Sequence, residues 1–91
     1  MIRSTVIAVP SVEGDLARIW IGASDRQAIA QASDAIDRLL REDAHQKGDE
    51  AGQGLRQLIV PPLIAKFTVN EDDRIVTIWT IRHVGTLTNG Y

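Results

Sequence analysis

Polar side chains that could exchange protons or bind anions gather toward the C-terminal end of the sequence. Arg82 and His83 end an apolar stretch, and Tyr91 follows after seven further residues. An imidazole or a phenol can act as a general acid or base, and a guanidinium can stabilise developing negative charge on a phosphate. Together with Arg56, which lies on a neighbouring predicted strand, these residues predict a small basic site at the rim of a sheet.

The same residues also have a purely structural explanation, because strands commonly end in polar side chains. Regular alternation would place Arg82 and His83 on opposite faces of a sheet, so without a bulge only one of them can join a site on an open face. The other histidine, His45, lies in a polar connection and is expected at the surface without a role.

Most familiar cofactor and metal sites have no counterpart in the sequence. It contains no cysteine, no phosphate-binding glycine loop, no nucleophile-elbow motif and no pair of histidines at metal-ligand spacing. We therefore expect no cofactor and no bound metal, so that any catalysis would come from the side chains alone.

The charge distribution argues against a free-standing nucleic-acid binder. Residues 1–53 carry six Lys/Arg and nine Asp/Glu, whereas residues 54–91 carry four Lys/Arg and three Asp/Glu. Proteins that bind nucleic acid by themselves usually carry a strong basic excess, because counterion release supplies much of the affinity. Any contact with nucleic acid is therefore expected to be small, local or assisted by another partner.

The sequence favours a cytoplasmic protein with no membrane partner. No apolar run approaches the roughly 20 residues that span a bilayer, and the first ten residues are too short and too strand-like for a signal peptide. The absence of cysteine suits a reducing compartment.

A short strand and two amphipathic helices are predicted in the first half. Residues 2–9 are rich in Ile, Val and Thr and indicate a strand that Pro10 closes. Ser11 is a candidate cap for the first helix, and Ser24 with Gln27 forms a candidate capping box for the second. The apolar face of the first helix consists of Val12, Leu16, Ile19 and Ala23, and that of the second of Ile29, Ala32, Ile36, Leu39 and Leu40.

Three strands are predicted in the second half, after a flexible connection over residues 43–54 that shows no periodicity. The first covers residues 55–60 and stops at Pro61-Pro62, where two rings remove two backbone donors. The second, residues 63–69, alternates apolar and mixed side chains. The third, residues 74–83, is the longest and most apolar.

The resulting order, β-α-α-β-β-β, indicates an α+β fold in which a helical hairpin covers one face of a small, mainly antiparallel sheet. Residues 1–91 fit a single domain, with residues 84–91 as a loop-like tail. Trp20 and Trp79 are interpreted as packing residues. The open face of the sheet and any unpaired edge are expected to accept a strand or helix from a partner, or a second copy of the chain.

The order and spacing of several short segments resemble a known family over residues 4–83. The chain is similar to the RelE/ParE superfamily of toxins from bacterial type II toxin–antitoxin modules, which are also described as plasmid stabilisation proteins, and it shares their β-α-α-β-β-β order. The segments that carry the resemblance are residues 15–20, 35–40, 54–58, 61–63, 67–69 and 73–76, leading to Arg82-His83.

This resemblance implies partners and an activity. In the family a cognate antitoxin wraps the toxin and holds it inactive. RelE-like members cut messenger RNA in the ribosomal A site without a metal, whereas ParE-like members poison DNA gyrase. By motif, Arg56 matches a basic residue on the first meander strand, His83 a histidine at the end of the last strand, and Tyr91 approximately a C-terminal tyrosine. The stretch Leu63-Ile64-Ala65 lacks the arginine that is usual in ribonuclease members.

Three interpretations remain open on sequence alone. The chain is a toxin with a RelE-type ribonuclease site, in which Arg56 or Arg82 stabilises the phosphate and His83 or Tyr91 exchanges protons. Alternatively, it has the toxin fold but acts purely by binding a partner, whether gyrase or an antitoxin. The third interpretation is an unrelated α+β interaction domain. The reduced set of basic residues and a sequence pI near 5.5 favour action through protein binding.

Overall fold

A five-stranded sheet covered on one face by two helices makes up the structure, a computed structural model that describes residues 3–84, apart from the side chain of His45. The strands lie in the order β1-β5-β4-β3-β2, with β1 parallel to β5 and all other neighbours antiparallel. The elements along the chain are β1 (Thr5–Ala8), α1 (Pro10–Gly22), α2 (Arg26–Leu40), a 3-10 turn (Ala44–Gln46), β2 (Asp49–Gly52), β3 (Leu55–Val60), β4 (Leu63–Asn70) and β5 (Ile75–His83).

The α+β class and the predicted order of elements are confirmed, with one addition. The connection predicted to be flexible contains β2, a short edge strand that pairs with β3. Of the predicted tail, only Val84 lies within the described residues, and its backbone N–H donates to the carbonyl oxygen of Pro62 at 2.7 Å. Tyr91 lies outside them.

The observed N-cap lies two residues before the predicted one in α1 and one residue after it in α2. Pro10 is the first residue of α1, because its fixed φ suits the first helical turn, and Val9 precedes it as the N-cap in place of Ser11. Asp25 caps α2 in place of Ser24, and its side chain accepts the backbone N–H of Ala28 at 3.0 Å. With 13 and 15 residues, neither α1 nor α2 is long and apolar enough to cross a membrane.

The core lies between the two helices and a single face of the sheet. Each strand residue of the core belongs to β4 or β5 and points toward the helices, and no polar or charged side chain is buried in the described part of the chain. The predicted apolar faces of α1 and α2 are confirmed except at Leu39, which is half-buried and does not belong to the core. The core consists of Val12, Ile29, Ala32, Ile36, Leu40, Ala44, Leu63, Ala65, Phe67, Val76, Ile78 and Ile81.

A bulge in β5 decides which side chains face the helices. Phe67 of β4 pairs with Ile78, but Lys66 pairs with Thr80, so that Trp79 is an extra residue. Beyond the bulge Ile81 returns to the core. Without it, strict alternation from Ile78 would turn Ile81 away from the helices.

Both tryptophans are more exposed than predicted. Trp20 lies on α1 with 40% of its surface exposed, and Trp79 lies on β5 with 47% exposed. The interpretation of these residues as core packing is therefore wrong. Aliphatic residues and the single phenylalanine, Phe67, fill the core instead.

Candidate interaction surface on the open sheet face

The face of the sheet that the helices leave uncovered exposes large apolar side chains. Ile7 of β1, Ile59 of β3 and Trp79 of β5 are 48%, 52% and 47% exposed, respectively. Each lies on the open face because its neighbours along the strand, such as Val6 and Leu58, point the other way, toward the core. Isolated apolar side chains are common at surfaces, but several on one sheet face indicate a contact surface.

Cationic side chains lie next to these apolar residues. The strand register aligns Ile59, Ile64 and Arg82 in one row across β3, β4 and β5, and pairs Lys66 with Thr80 in the next row. Lys66 and Arg82 are therefore diagonal neighbours, a relation that places residues about 7–8 Å apart in an antiparallel pair. The open face combines an apolar surface with two positive charges.

Trp79 is held in place on this face by a hydrogen bond. Its indole N–H donates to the hydroxyl oxygen of Thr68 on β4 at 2.9 Å. The bulge supplies the extra residue, so Trp79 stands on the open face beside Thr80, opposite Lys66. A positioned, half-exposed indole is the kind of group that dominates the affinity of protein interfaces.

Arg56 lies on the other side of the sheet and is engaged with the backbone. It pairs with Phe67, a core residue, so its side chain leaves β3 on the helix-facing side. Its Nε donates to the carbonyl oxygen of Lys47 and its terminal nitrogen to that of Gly48, both at 2.9 Å. These bonds hold the segment that leads into β2.

Arg82 and His83 lie at the end of β5, on different faces. Arg82 pairs with Ile64 on the open face, whereas His83 pairs with the core residue Leu63 and so points to the helix side. His83 lines two surface clefts, one of about 410 Å³ against α1 and one of about 330 Å³ beside Asp25 and the Pro61-Pro62 turn. Both residues nevertheless line the cleft of about 410 Å³ at this end of β5, whereas Arg56 lies elsewhere and is bonded to the segment before β2.

Two residues of the open face were not predicted as site residues. The alternation from Leu63 already placed Lys66 on the side opposite Phe67, but its proximity to Arg82 depends on the pairing register. The sequence signal of the bulge that exposes Trp79 was a change in the spacing of apolar residues. Val76 and Ile78 are two residues apart, whereas Ile78 and Ile81 are three apart.

The electrostatics of the described residues indicate no metal centre. No group of three or more His, Asp or Glu side chains within residues 3–84 is arranged to hold a metal ion. At the C-terminal end of α2, a hydrogen bond to Asp37 and the negative charge of that carboxylate raise the pKa of Arg41. That pair is on the helical side, away from the open face.

Comparison with known proteins gives a likeness of fold. No protein-family model and no curated protein matches the chain, whereas several solved structures do. The toxin–antitoxin complex RelBE2 from Mycobacterium tuberculosis aligns with a TM-score of 0.75 at 14% identity, over 91% of this chain and 93% of that chain. The chromosomal ParDE toxin–antitoxin system from P. aeruginosa aligns with a TM-score of 0.69 at 20% identity, over 90% of this chain and 97% of that one.

A third solved structure extends the likeness to an archaeal protein. The RelE–RelB complex from Pyrococcus horikoshii aligns with a TM-score of 0.67 at 13% identity, over 92% of this chain and 98% of that chain. In all three alignments nearly the whole of both chains is matched, so the correspondence includes the helical hairpin and the sheet together. The chain has the fold of the RelE/ParE superfamily of toxins.

Proposed function

We propose that this chain is the toxin component of a toxin–antitoxin pair, that it acts by binding a protein through its open sheet face, and that a cognate antitoxin neutralises it. The observation that carries the proposal is the exposure of Ile59 and Trp79 beside Lys66 and Arg82 on the face without helices. The fold supports it, because three of the solved structures that align with the chain are toxin–antitoxin assemblies.

The open face exposes large apolar side chains that a partner could bury. Burying apolar side chains such as Ile59 and Trp79 would contribute about 25 cal/mol per Å² of apolar area. The two cations select a partner that carries carboxylates, because opposite charges at the rim of an interface raise specificity and association rate. A partner segment with apolar anchors and acidic residues is therefore the expected ligand.

The two tryptophans provide a matched test of this surface. The protein is purified with the product of the adjacent small reading frame, and affinity is measured by calorimetry for Trp79→Ala and Trp20→Ala. Truncating an interface anchor typically removes about 2 kcal/mol or more, which is roughly a 30-fold loss of affinity. Trp79→Ala is expected to weaken binding by about this factor, and Trp20→Ala, with similar exposure on α1, to change it by less than about threefold.

Growth provides the second readout of the same variants. Induced expression of the chain alone is expected to arrest a bacterial culture, and co-expression of the adjacent reading frame to relieve the arrest. Trp79→Ala is expected to lose the arrest while Trp20→Ala keeps it. Equal effects of both substitutions, with both proteins folded by circular dichroism, would show that the open face is not the binding surface.

A ribonuclease of the RelE type is the second candidate, favoured by the adjacency of Lys66 and Arg82 on the open face. Two cations could stabilise the phosphate charge in strand cleavage, and His83 follows Arg82 in the chain. The probe for this activity is Arg82→Ala/His83→Ala. Arg56→Ala is unsuitable, because the Arg56 guanidinium bonds backbone carbonyls on the helix side.

Messenger RNA separates the two candidates. Cellular transcripts are mapped after induction of the wild-type chain and of the double variant. Cleaved transcripts that become intact in the double variant would establish the ribonuclease. Growth arrest with intact transcripts would exclude it and leave protein binding as the activity.

A further inference from the structure

A cleft opens beside β5 where β1 ends. β1 pairs with β5 only from Ile75 to Ile78, and the backbone N–H of Val9 still bonds the carbonyl oxygen of Ile78. Beyond this point β5 continues to His83 without a strand on that side among the described residues. α1 faces this bare edge, and the space between them is an open cleft of about 410 Å³.

Backbone donors point into this cleft. Val84 donates its N–H toward Pro62 on the β4 side of the strand. Because successive amides of a strand point to opposite edges, the N–H groups of Ile81 and His83 point to the other edge, where β1 has ended. Two strand amides are thus directed toward the side on which the cleft lies.

Polar residues that can bind an anion line the same cleft. Thr80, Arg82 and His83 come from β5 and Arg18 from α1. Arg82 and His83 have no side-chain hydrogen bond or ion pair within residues 3–84. The carboxylate that lines the cleft, Asp15, is paired with Arg18.

We propose that this cleft binds a phosphate group, either free or at the end of a small molecule such as a nucleotide. Guanidinium and amide N–H groups around one space match the three terminal oxygens of a phosphate better than the two of a carboxylate. The volume suits a small ligand larger than the bare anion, and Ile19 and Ile81 supply an apolar wall for its organic part. The proposal does not rest on the toxin assignment.

The test is an NMR titration of the whole chain with inorganic phosphate, with adenosine 5′-monophosphate and with adenosine, at an ionic strength fixed by sodium chloride. Phosphate and the nucleotide are expected to shift the amide resonances of Ile81 and His83, whereas adenosine leaves them unchanged. Tighter binding of the nucleotide than of phosphate would identify a nucleotide as the source, and equal binding would identify free phosphate. Unmoved amides at millimolar phosphate would overturn the proposal.

Two substitutions that are expected to change phosphate binding in opposite directions make the test specific. Arg82→Gln is expected to weaken phosphate binding about tenfold, because a charge-assisted bond is lost. Asp15→Asn is expected to strengthen it several-fold, since it removes the opposing charge and frees Arg18. Arg38→Gln, on the exposed surface of α2, is the matched control for charge and is expected to have no effect. A loss with Arg38→Gln equal to that with Arg82→Gln would reveal general electrostatic attraction and refute the site.

Discussion

Replacing Arg56 by alanine distinguishes a structural role from a catalytic one. Its guanidinium donates to the carbonyl oxygens of Lys47 and Gly48 at 2.9 Å, and the side chain is half-buried on the helix side of β3. If these bonds hold the segment that enters β2, Arg56→Ala will lower the free energy of unfolding. If Arg56 served only in chemistry, its loss would leave stability unchanged.

The size of the effect follows from the two bonds. A hydrogen bond that involves a charged group contributes about 1.5–3 kcal/mol. Both bonds here share one guanidinium, and water can reach the carbonyls of a half-buried loop, so the combined loss is expected near 2 kcal/mol. A change of 1 kcal/mol shifts the melting temperature of a domain of this size by about 4–8 °C. Arg56→Ala should therefore melt about 8–16 °C below the wild type.

Urea unfolding followed by circular dichroism measures this difference directly. Arg38→Ala is the control, because Arg38 is exposed on α2 and makes no comparable side-chain bond; its expected change is within about 0.5 kcal/mol. A loss below about 0.5 kcal/mol for Arg56→Ala would refute the structural assignment and return Arg56 to the candidate catalytic residues. Arg56→Lys should recover little of the lost stability, because an ammonium group cannot reproduce the two hydrogen bonds of the planar guanidinium.

Three further outcomes are expected. Gly48→Ala should lower the free energy of unfolding by about 2–4 kcal/mol, since a Cβ there would meet the carbonyl oxygen of Gln57 at 2.1 Å and the φ of Gly48 is +68°. Gly22→Ala, which has open space around it, should change the free energy of unfolding by less than about 1 kcal/mol in urea. Asp25→Ala should cost about 1 kcal/mol in the same assay through loss of the helix cap. Without a partner, the wild type should self-associate in concentration-dependent sedimentation, and Trp79→Ala should reduce this; a monomer at every concentration would contradict it.

The elements with strong local patterns could be predicted from the sequence, and those formed by context could not. Alternation and the proline pair located β3 with its observed bounds and β4 to within one residue. β2 was missed because Asp49, Glu50 and Gly52 carry no strand pattern. They are extended only because they pair with β3 through Gln57 and its neighbours, and such pairing is a tertiary effect that overrides propensity.

The sequence located Arg82 and His83 at the end of the last strand but did not give the arrangement of their side chains in space. Arg82 and His83 lie on opposite faces, as alternation predicts, but which of them faces the helices depends on a bulge that alternation alone does not locate. The role of Arg56 depends on loop carbonyls nine and eight residues earlier, whose approach no local pattern predicts. Lys66 and Trp79 became candidates only when the register placed them on the open face.

One face of this sheet carries the residues that stabilise the fold, and the other carries the residues proposed to bind a partner. The strand residues that form the core, such as Phe67 and Val76, all point toward the helices, whereas Ile59 and Trp79 point away from them and remain about half exposed. Folding does not need these exposed side chains, because the core closes without them, and their apolar surface lowers solubility. Their presence is explained if a partner covers them. Substitutions on the open face should therefore change binding at nearly constant stability, whereas substitutions of core residues in the same strands should change both.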